Sequence, residues 1–298
     1  MPSSNVSWDI TGSLGILTFN RPAARNALTW DMYEALTGAC EDADADARIR
    51  ALIIRGTGGA FAAGTDISQF ADFADGADGV AYERRLDAAV DRLERVTVPT
   101  IAEVDGAAVG GGCLIALACD LRLCSPRARF GVPIARTLGN CLSMANTARL
   151  VDLVGPARVR ELLLTGRLVE ADEALALGIA TRLVAQEALA VEGMAIALEL
   201  ATHATSTIAA SKEMLLLAAR VPHAAGRLGR RHHRALLRQR RLQGGSRRLS
   251  GGPAAGLREQ KPRGQEADEG HEDMNLAQGE AGTIFSRVNP RLAPPPMA

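Results

Sequence analysis

Apolar positions along this chain follow two periods. "VSWDITGSLGILTFN" alternates on either side of a Gly-Ser turn, which predicts two short strands. "IRALIIRG" is a short continuous apolar run between polar flanks, the pattern of a buried strand, and "PTIAEVDG" reads as another strand. Between strands the period lengthens. A helix is predicted from about Thr29 through the acidic run "EDADADA", and another over Gly79–Val96, where Leu86, Val90 and Leu93 share one face. "GAAVGGGC" is a glycine turn that opens an apolar helix at about Gly111. Strands follow at "DLRLCS" and "ARFGVP", then helices near Ser143–Leu153 and Pro156–Thr165. The short helix "VEADEALALG" ends at Gly178 and leads into a strand, "IATRLVA". Two further helices cover roughly Glu187–Thr202 and Thr207–Ala219. Strands that recur with intervening helices predict an α/β fold with crossover connections.

The periodicity stops at about Val221, where "GRLGRRHHRALLRQRRLQGGSRRLSGGPAAG" becomes rich in arginine; a boundary is expected there. Over all 298 residues, 47% hydrophobic and 23% charged content suits a globular protein able to bury a sizeable core. The formal charge of +0 argues against a chain-wide attraction to nucleic acid. No apolar run reaches transmembrane length, and "MPSSNVSWDI" lacks a basic segment followed by an apolar one, so a cytoplasmic protein without a membrane partner is expected.

Five cysteines, an odd number with no C-x-x-C, favour small buried residues over a disulfide framework or a zinc site; no metal is expected. All five histidines lie at or beyond His203, and both lysines, Lys212 and Lys261, are late. A site built from the first two hundred residues must therefore use carboxylates, hydroxyls, amides, arginine or backbone, which excludes a Ser-His-Asp triad there.

The run Gly110-Gly111-Gly112 places bare N–H groups at a helix start, where the dipole favours negative charge. Phosphate or a developing oxyanion could be held there. The dinucleotide pattern G-x-G-x-x-G does not fit, and no lysine supplies a P-loop. Close helix–strand packing also accounts for an isolated glycine run. A second small-residue turn, "AFAAGTDIS", favours chemistry: two N–H groups from separate turns can converge on one carbonyl oxygen.

"NRPAARNAL", "GGAFAAGTDIS", "PTIAEVDGAAVGGGCLIALACDLRLCSPRARFGVP" and "LLLTGRLVEADEALALGIATRLV", in this order and spacing, resemble the enoyl-CoA hydratase/isomerase (crotonase) family from about Val6 to Ala219. The resemblance implies a right-handed spiral of ββα units, a C-terminal helical region, and homotrimers that often pair into hexamers. It implies a core over 1–200 and a helical trimerisation region over 201–236; composition predicts a disordered tail over 237–298, with few core contacts beyond about Gly251. The implied substrate is an acyl-CoA thioester, coenzyme A being part of the substrate, with no permanently bound cofactor.

Carried over by position, the oxyanion donors are the backbone N–H groups of Thr65 and Gly111, one such donor being worth ~3 kcal/mol of barrier. Gly64 and Gly110 precede them. Arg25 is the candidate contact for CoA phosphate or pantetheine. Ala62, Ala63, Gly64, Asp66 and Ile67 fall in the stretch implied to line the adenine pocket, with Asp66 bracing its own loop.

The family's hydratases use two glutamates, one after G-G-G-C and one after the proline of F-G-x-P. Here these positions are Leu114 and Ile134, which can neither hold water nor move a proton. The substitutions argue against both hydration and isomerisation by the family's glutamates and leave thioester binding intact. Other reactions of the family (thioester hydrolysis, decarboxylation, dehalogenation) and a non-catalytic acyl-CoA-binding or assembly role stay open. In "IARTLGNCLSMAN", Asn140 and Ser143 fall nearest a position used by such relatives and could orient water or a substrate carboxylate; Arg136 could pair with the latter. Ser143 equally suits a helix cap.

The family's ending, near Y-G-S-x-D-F-x-E-G-x-x-A-F-L, is missing as written. Reading Leu237–Gly251 from the second base of each codon, with permitted synonymous codons, yields YGSADFKEGVAAFL. A frame change near Val221–Arg230 is therefore the expected origin of the tail, to be tested by sequencing the DNA; a genuine basic tail is the alternative.

Overall fold

Strands β1 (Val6–Thr11) and β2 (Leu14–Phe19) form the expected antiparallel hairpin, with Val6 opposite Phe19 and Thr11 opposite Leu14. This is a computed structural model that describes residues 5–70, 76–137 and 141–220. The boundary expected at Val221 and the tail of 237–298 lie outside the described residues.

Helix α1 (Trp30–Ala45) follows the hairpin, and the chain then makes three similar turns. The first comprises β3 (Ala51–Gly56), a single bridge at Ala62, and α2 (Gly76–Glu94). The second comprises β4 (Thr100–Val104), β5 (Ala107–Val109) and α3 (Gly111–Ala118). The third comprises β6 (Leu121–Cys124), β7 (Arg129–Gly131), the short α4 (Ile134–Thr137) and the long α5 (Met144–Thr165). Then come β8 (Val169–Glu170), α6 (Ala171–Ala176), β9 (Arg182–Leu183), α7 (Leu189–Ala201) and α8 (Thr205–Arg220).

Each turn thus lays its first strand on a six-stranded sheet, ordered β1-β2-β3-β4-β6-β9 and parallel beyond the hairpin. The next strand goes to a three-stranded sheet, β5-β7-β8, with the Ala62 bridge set against β5. This is the spiral of ββα units that the resemblance implies.

Strand alternation explains why these runs are apolar throughout. Leu17, Phe19, Leu52, Ile54, Ala102 and Val104 point into one core with α1, α2 and α3. Their neighbours Leu14, Ile16, Ala51, Ile53 and Ile101 point into a second core beneath α7, with Leu189 and Ala197. A sheet covered on both faces has no place for alternating polar residues.

Two expected elements differ. The predicted helices on either side of Gly155 are one long segment, broken only where Gly155 takes φ 76° ahead of Pro156. The expected strand "IATRLVA" shrinks to Arg182–Leu183, because Gly178 turns at φ 76° and the Ala180 N–H closes back on the Ala174 carbonyl.

Candidate functional site

The two small-residue turns meet at one cavity of about 140 Å³. Its lining includes Ala63, Gly64 and Thr65 from the first turn, Gly110, Gly111 and Leu114 from the second, and Tyr82, Glu83 and Leu86 from α2. Pro133, Ile134 and Leu142 complete its wall.

The orientation of Thr65 follows from its neighbours. Ala62 is bridged to β5: its N–H donates to the Ala107 carbonyl at 2.9 Å, and its carbonyl accepts from Val109 at 3.0 Å. The Ala63 N–H faces the other way, to the Arg25 carbonyl at 3.1 Å. Regular alternation would send the Thr65 N–H to that same side. Gly64 interrupts it with φ 109°, so the Gly64 carbonyl accepts from Leu28 and the Asp66 N–H donates to Leu28. The Thr65 N–H consequently points away from Leu28.

Gly110 takes φ 54°, ψ −124° as the N-cap of α3, with its own N–H bound to the Gly131 carbonyl. Gly111 is the first helical residue, one of those whose N–H has no partner within its helix. Among the described residues, neither the Thr65 nor the Gly111 N–H donates to any other group. The remaining glycines in the run are a matter of space: a Cβ at Gly111 would overlap the Tyr33 hydroxyl, and one at Gly112 the Ala62 carbonyl. Close packing, one of the two readings open on the sequence, holds at both glycines.

The Thr65 side chain is clamped. Its Oγ1 shares hydrogen bonds with the Tyr33 hydroxyl at 2.8 Å and the Tyr82 hydroxyl at 2.9 Å. Burial pushes the Tyr82 phenol up to about 12 and the Tyr33 phenol higher still, so both keep their protons at ordinary pH. These are the chain's two tyrosines, and they pack with Trp30, Tyr82 also edge-on to Phe70.

Leu114 and Ile134, the positions where the resemblance implies glutamates, both line the cavity. Leu114 is 1% exposed. Glu83 was not singled out by the sequence reading, although a signal was present. It precedes Leu86 by three residues and Val90 by seven, which puts a carboxyl in the apolar register of α2. Burial, with Asp87 one turn further on, pushes the Glu83 carboxyl up to about 7.

The other expected residues lie around this centre. Ser143 caps α5, accepting the Asn146 N–H at 3.1 Å, and donates to Asp87 at 2.8 Å; it is absent from the cavity's described lining. Asn140 is outside the described residues. Asp66 accepts the Ser68 N–H at 2.9 Å and pairs with Arg21, contacts that hold its carboxyl below the usual carboxylate range. Ile67, 70% exposed, stands at the rim. Arg25, in the left-handed region at φ 51°, opens onto a neighbouring cleft of about 350 Å³ that shares Ala63, Val109 and Pro133 with the cavity. Arg129 and Arg136 also line that cleft, and among its described lining residues there is no acid.

The spiral thus sets two backbone turns on an apolar cavity beside an arginine-lined cleft. The profile of the family described as "Enoyl-CoA hydratase/isomerase" matches residues 9–243, and the chain belongs to that family. It is 39% identical over 202 residues to the Mycobacterium tuberculosis protein named "Probable enoyl-CoA hydratase echA8", covering 67% of this chain and 76% of that one. It is 33% identical over 216 residues to the short-chain-enoyl-CoA hydratase of Clostridium acetobutylicum, covering 72% and 82%. The crystal structure of an enoyl-CoA hydratase subunit I from Geobacillus kaustophilus superposes with a TM-score of 0.73 at 32% identity, over 84% of this chain and 99% of that one.

The family needs no cofactor beyond the CoA of its substrate. Among the described residues, no three His, Cys, Asp or Glu side chains gather as a metal would require, and no helix is long and apolar enough to cross a membrane.

Proposed function

We propose that this chain binds acyl-CoA thioesters and stabilises the thioester enolate with the N–H groups of Thr65 and Gly111. The observation that carries this reading is the opening of both turns onto one apolar cavity, with neither N–H used by a described residue. Donors fixed in a water-poor site act on charge that develops in the transition state. The cleft with Arg25, Arg129 and Arg136 supports the same reading, since guanidinium groups suit the phosphates of coenzyme A.

Leu114 and Ile134 replace both hydratase acids, so hydration of crotonyl-CoA should run about 10³-fold or more below a competent relative, given the ~10²–10⁴ that general acid–base help contributes. Calorimetric titration with butyryl-CoA, against NAD and ATP as controls, tests the binding; equal or absent affinity for the thioester sinks it. Rapid crotonyl-CoA hydration would show that water addition has another source. The loss of both acids also favours a second reading, a non-catalytic acyl-CoA-binding or assembly subunit, and turnover of any thioester in a small panel decides against it.

A homotrimer or hexamer is the proposed assembly. Leu164, Val191 and Leu215 stand 80%, 70% and 71% exposed in the single chain, one on each of α5, α7 and α8, and contact between subunits would cover them. Light scattering that reports a monomer overturns it.

A further inference from the structure

One carboxyl stands among the described residues lining the cavity, and it comes from neither glutamate position of the family's hydratases. Glu83 projects from α2 beside Tyr82 and Leu86, into the space that Thr65, Gly111, Leu114 and Ile134 also line. The buried face of its helix holds it there: Leu86 is 2% exposed and Val90 fully buried. Asp87, one turn on, is held separately, accepting hydrogen bonds from Ser143 and Asn146 at 2.8 and 2.6 Å.

The charged or titratable groups coupled to Glu83 are Asp87 and Tyr82 on its own helix and Tyr33 on α1. The lining residues of α3 and of 132–134 are apolar or glycine. A proton-transfer group works best when it titrates near the operating pH, and burial beside Asp87 raises this carboxyl to about 7.

Resting on the acyl-CoA reading above, we propose that Glu83 is the base that moves protons at the carbon beside the thioester carbonyl. The reaction class this supports is α-proton exchange and double-bond migration rather than addition of water. The Glu83 carboxylate takes a proton from Cα, and the C–H electron pair passes into the carbonyl to give the enolate. The resulting acid then either trades that proton for one from solvent and reprotonates Cα, giving exchange, or delivers it to Cγ of a 3-enoyl thioester, giving the 2-enoyl isomer. Atoms and electrons balance with no oxidant, reductant or water consumed. Addition of water would need a second group to position and activate it, and the two wall positions suited to that are leucine and isoleucine.

The full chain is incubated with butyryl-CoA in D2O, and deuterium at Cα is followed by mass spectrometry while calorimetry reports binding. The unsubstituted protein should incorporate deuterium, with a rate that rises with pH through about 7 and then levels off. Glu83→Gln, which keeps the side chain's size, should bind the thioester within about threefold yet exchange ~10²–10⁴-fold more slowly. Exchange by Glu83→Gln at the unsubstituted rate overturns the assignment. So does unsubstituted protein that binds butyryl-CoA without exchange, or whose buffer-corrected rate is flat between pH 5.5 and 8.5; this profile needs no variant to fold. Unsubstituted protein that does not bind the thioester overturns the acyl-CoA reading instead.

Discussion

In the proposed function Thr65 acts through its backbone N–H, while its hydroxyl serves the fold. Thr65→Ala removes the oxygen that the Tyr33 and Tyr82 hydroxyls share at 2.8 and 2.9 Å, yet keeps the N–H. Its expected cost is about 0.5–1.5 kcal/mol of stability in chemical denaturation, with a comparatively small change in thioester turnover. Gly111→Ala should do the reverse. The added Cβ overlaps the Tyr33 hydroxyl and displaces the start of α3, so deuterium exchange into butyryl-CoA should fall about 10²-fold, as for loss of one oxyanion donor. A Gly111→Ala protein with unchanged exchange would show that this N–H does not act on substrate. Elsewhere, Glu103 is 4% exposed on β4, with Arg55 only at 3.8 Å, and burial pushes its carboxyl from 4.5 up to about 7. The native state then holds a proton that the unfolded chain has released. Stability contributed by the neutral form is complete below about 4.5 and declines as pH rises through about 7. Glu103→Gln should therefore raise stability by about 1–3 kcal/mol at pH 8 and by little at pH 4, read from denaturant midpoints at the two pH values.

Helix α3 brings Gly111 to the cavity, and its opposite end is held by a single buried side chain. Arg122 donates from Nε to the Ile179 carbonyl and from Nη1 to the Cys119 carbonyl, with Ala116 and Leu117 oxygens at 3.4 and 3.5 Å. A cation there complements the helix dipole and meets carbonyls that otherwise lack donors. Arg122→Met, which keeps bulk and loses every donor, should cost about 2–4 kcal/mol in unfolding experiments. An unchanged denaturation midpoint would show that water replaces the guanidinium. Elements of this kind were legible in the sequence where one period dominated: the hairpin, α1 and the glycine-started α3 lie where their apolar patterns place them. The strand expected at "IATRLVA" was legible only in part: Thr181 to Val184 do bond to β6, whereas Ile179 and Ala180 are buried behind the Gly178 turn, where the Ala180 N–H closes on the Ala174 carbonyl. At the site, the glycine turns are visible in the sequence, and the resemblance points to Thr65 and Gly111 within them, both of which line the one cavity. Glu83 and the two tyrosines could not be grouped with them, since only the docking of α2 and α1 brings them to Thr65. Ser143 shows the same limit: its spacing suits either a cap or a catalytic position, and only the fold seats it on Asp87.

Across the whole molecule, the proposed acyl-CoA binding divides recognition of the ligand between the cavity and the arginine-lined cleft. In that proposal the cleft acts by charge and the cavity by shape, so binding of butyryl-CoA should weaken as salt rises whereas binding of butyryl-pantetheine should not. Replacing Arg25 and Arg129 together by alanine should abolish that difference; a salt dependence that survives places the anion contact elsewhere. The bridge between Ala62 and Ala108 has a kinetic corollary. It joins the first spiral turn to the second through two backbone hydrogen bonds, and Thr65 and Gly111, the proposed donors, hang from the segments it fastens. A chain that has completed only its first turn has no β5 for Ala62 to pair with, so this non-local closure comes after the loop between them is paid for in entropy. The amides of Ala62 and Val109 should accordingly exchange with solvent deuterium at one common rate, opening as a unit. A partly folded chain would then lack both donors together rather than carry one of them.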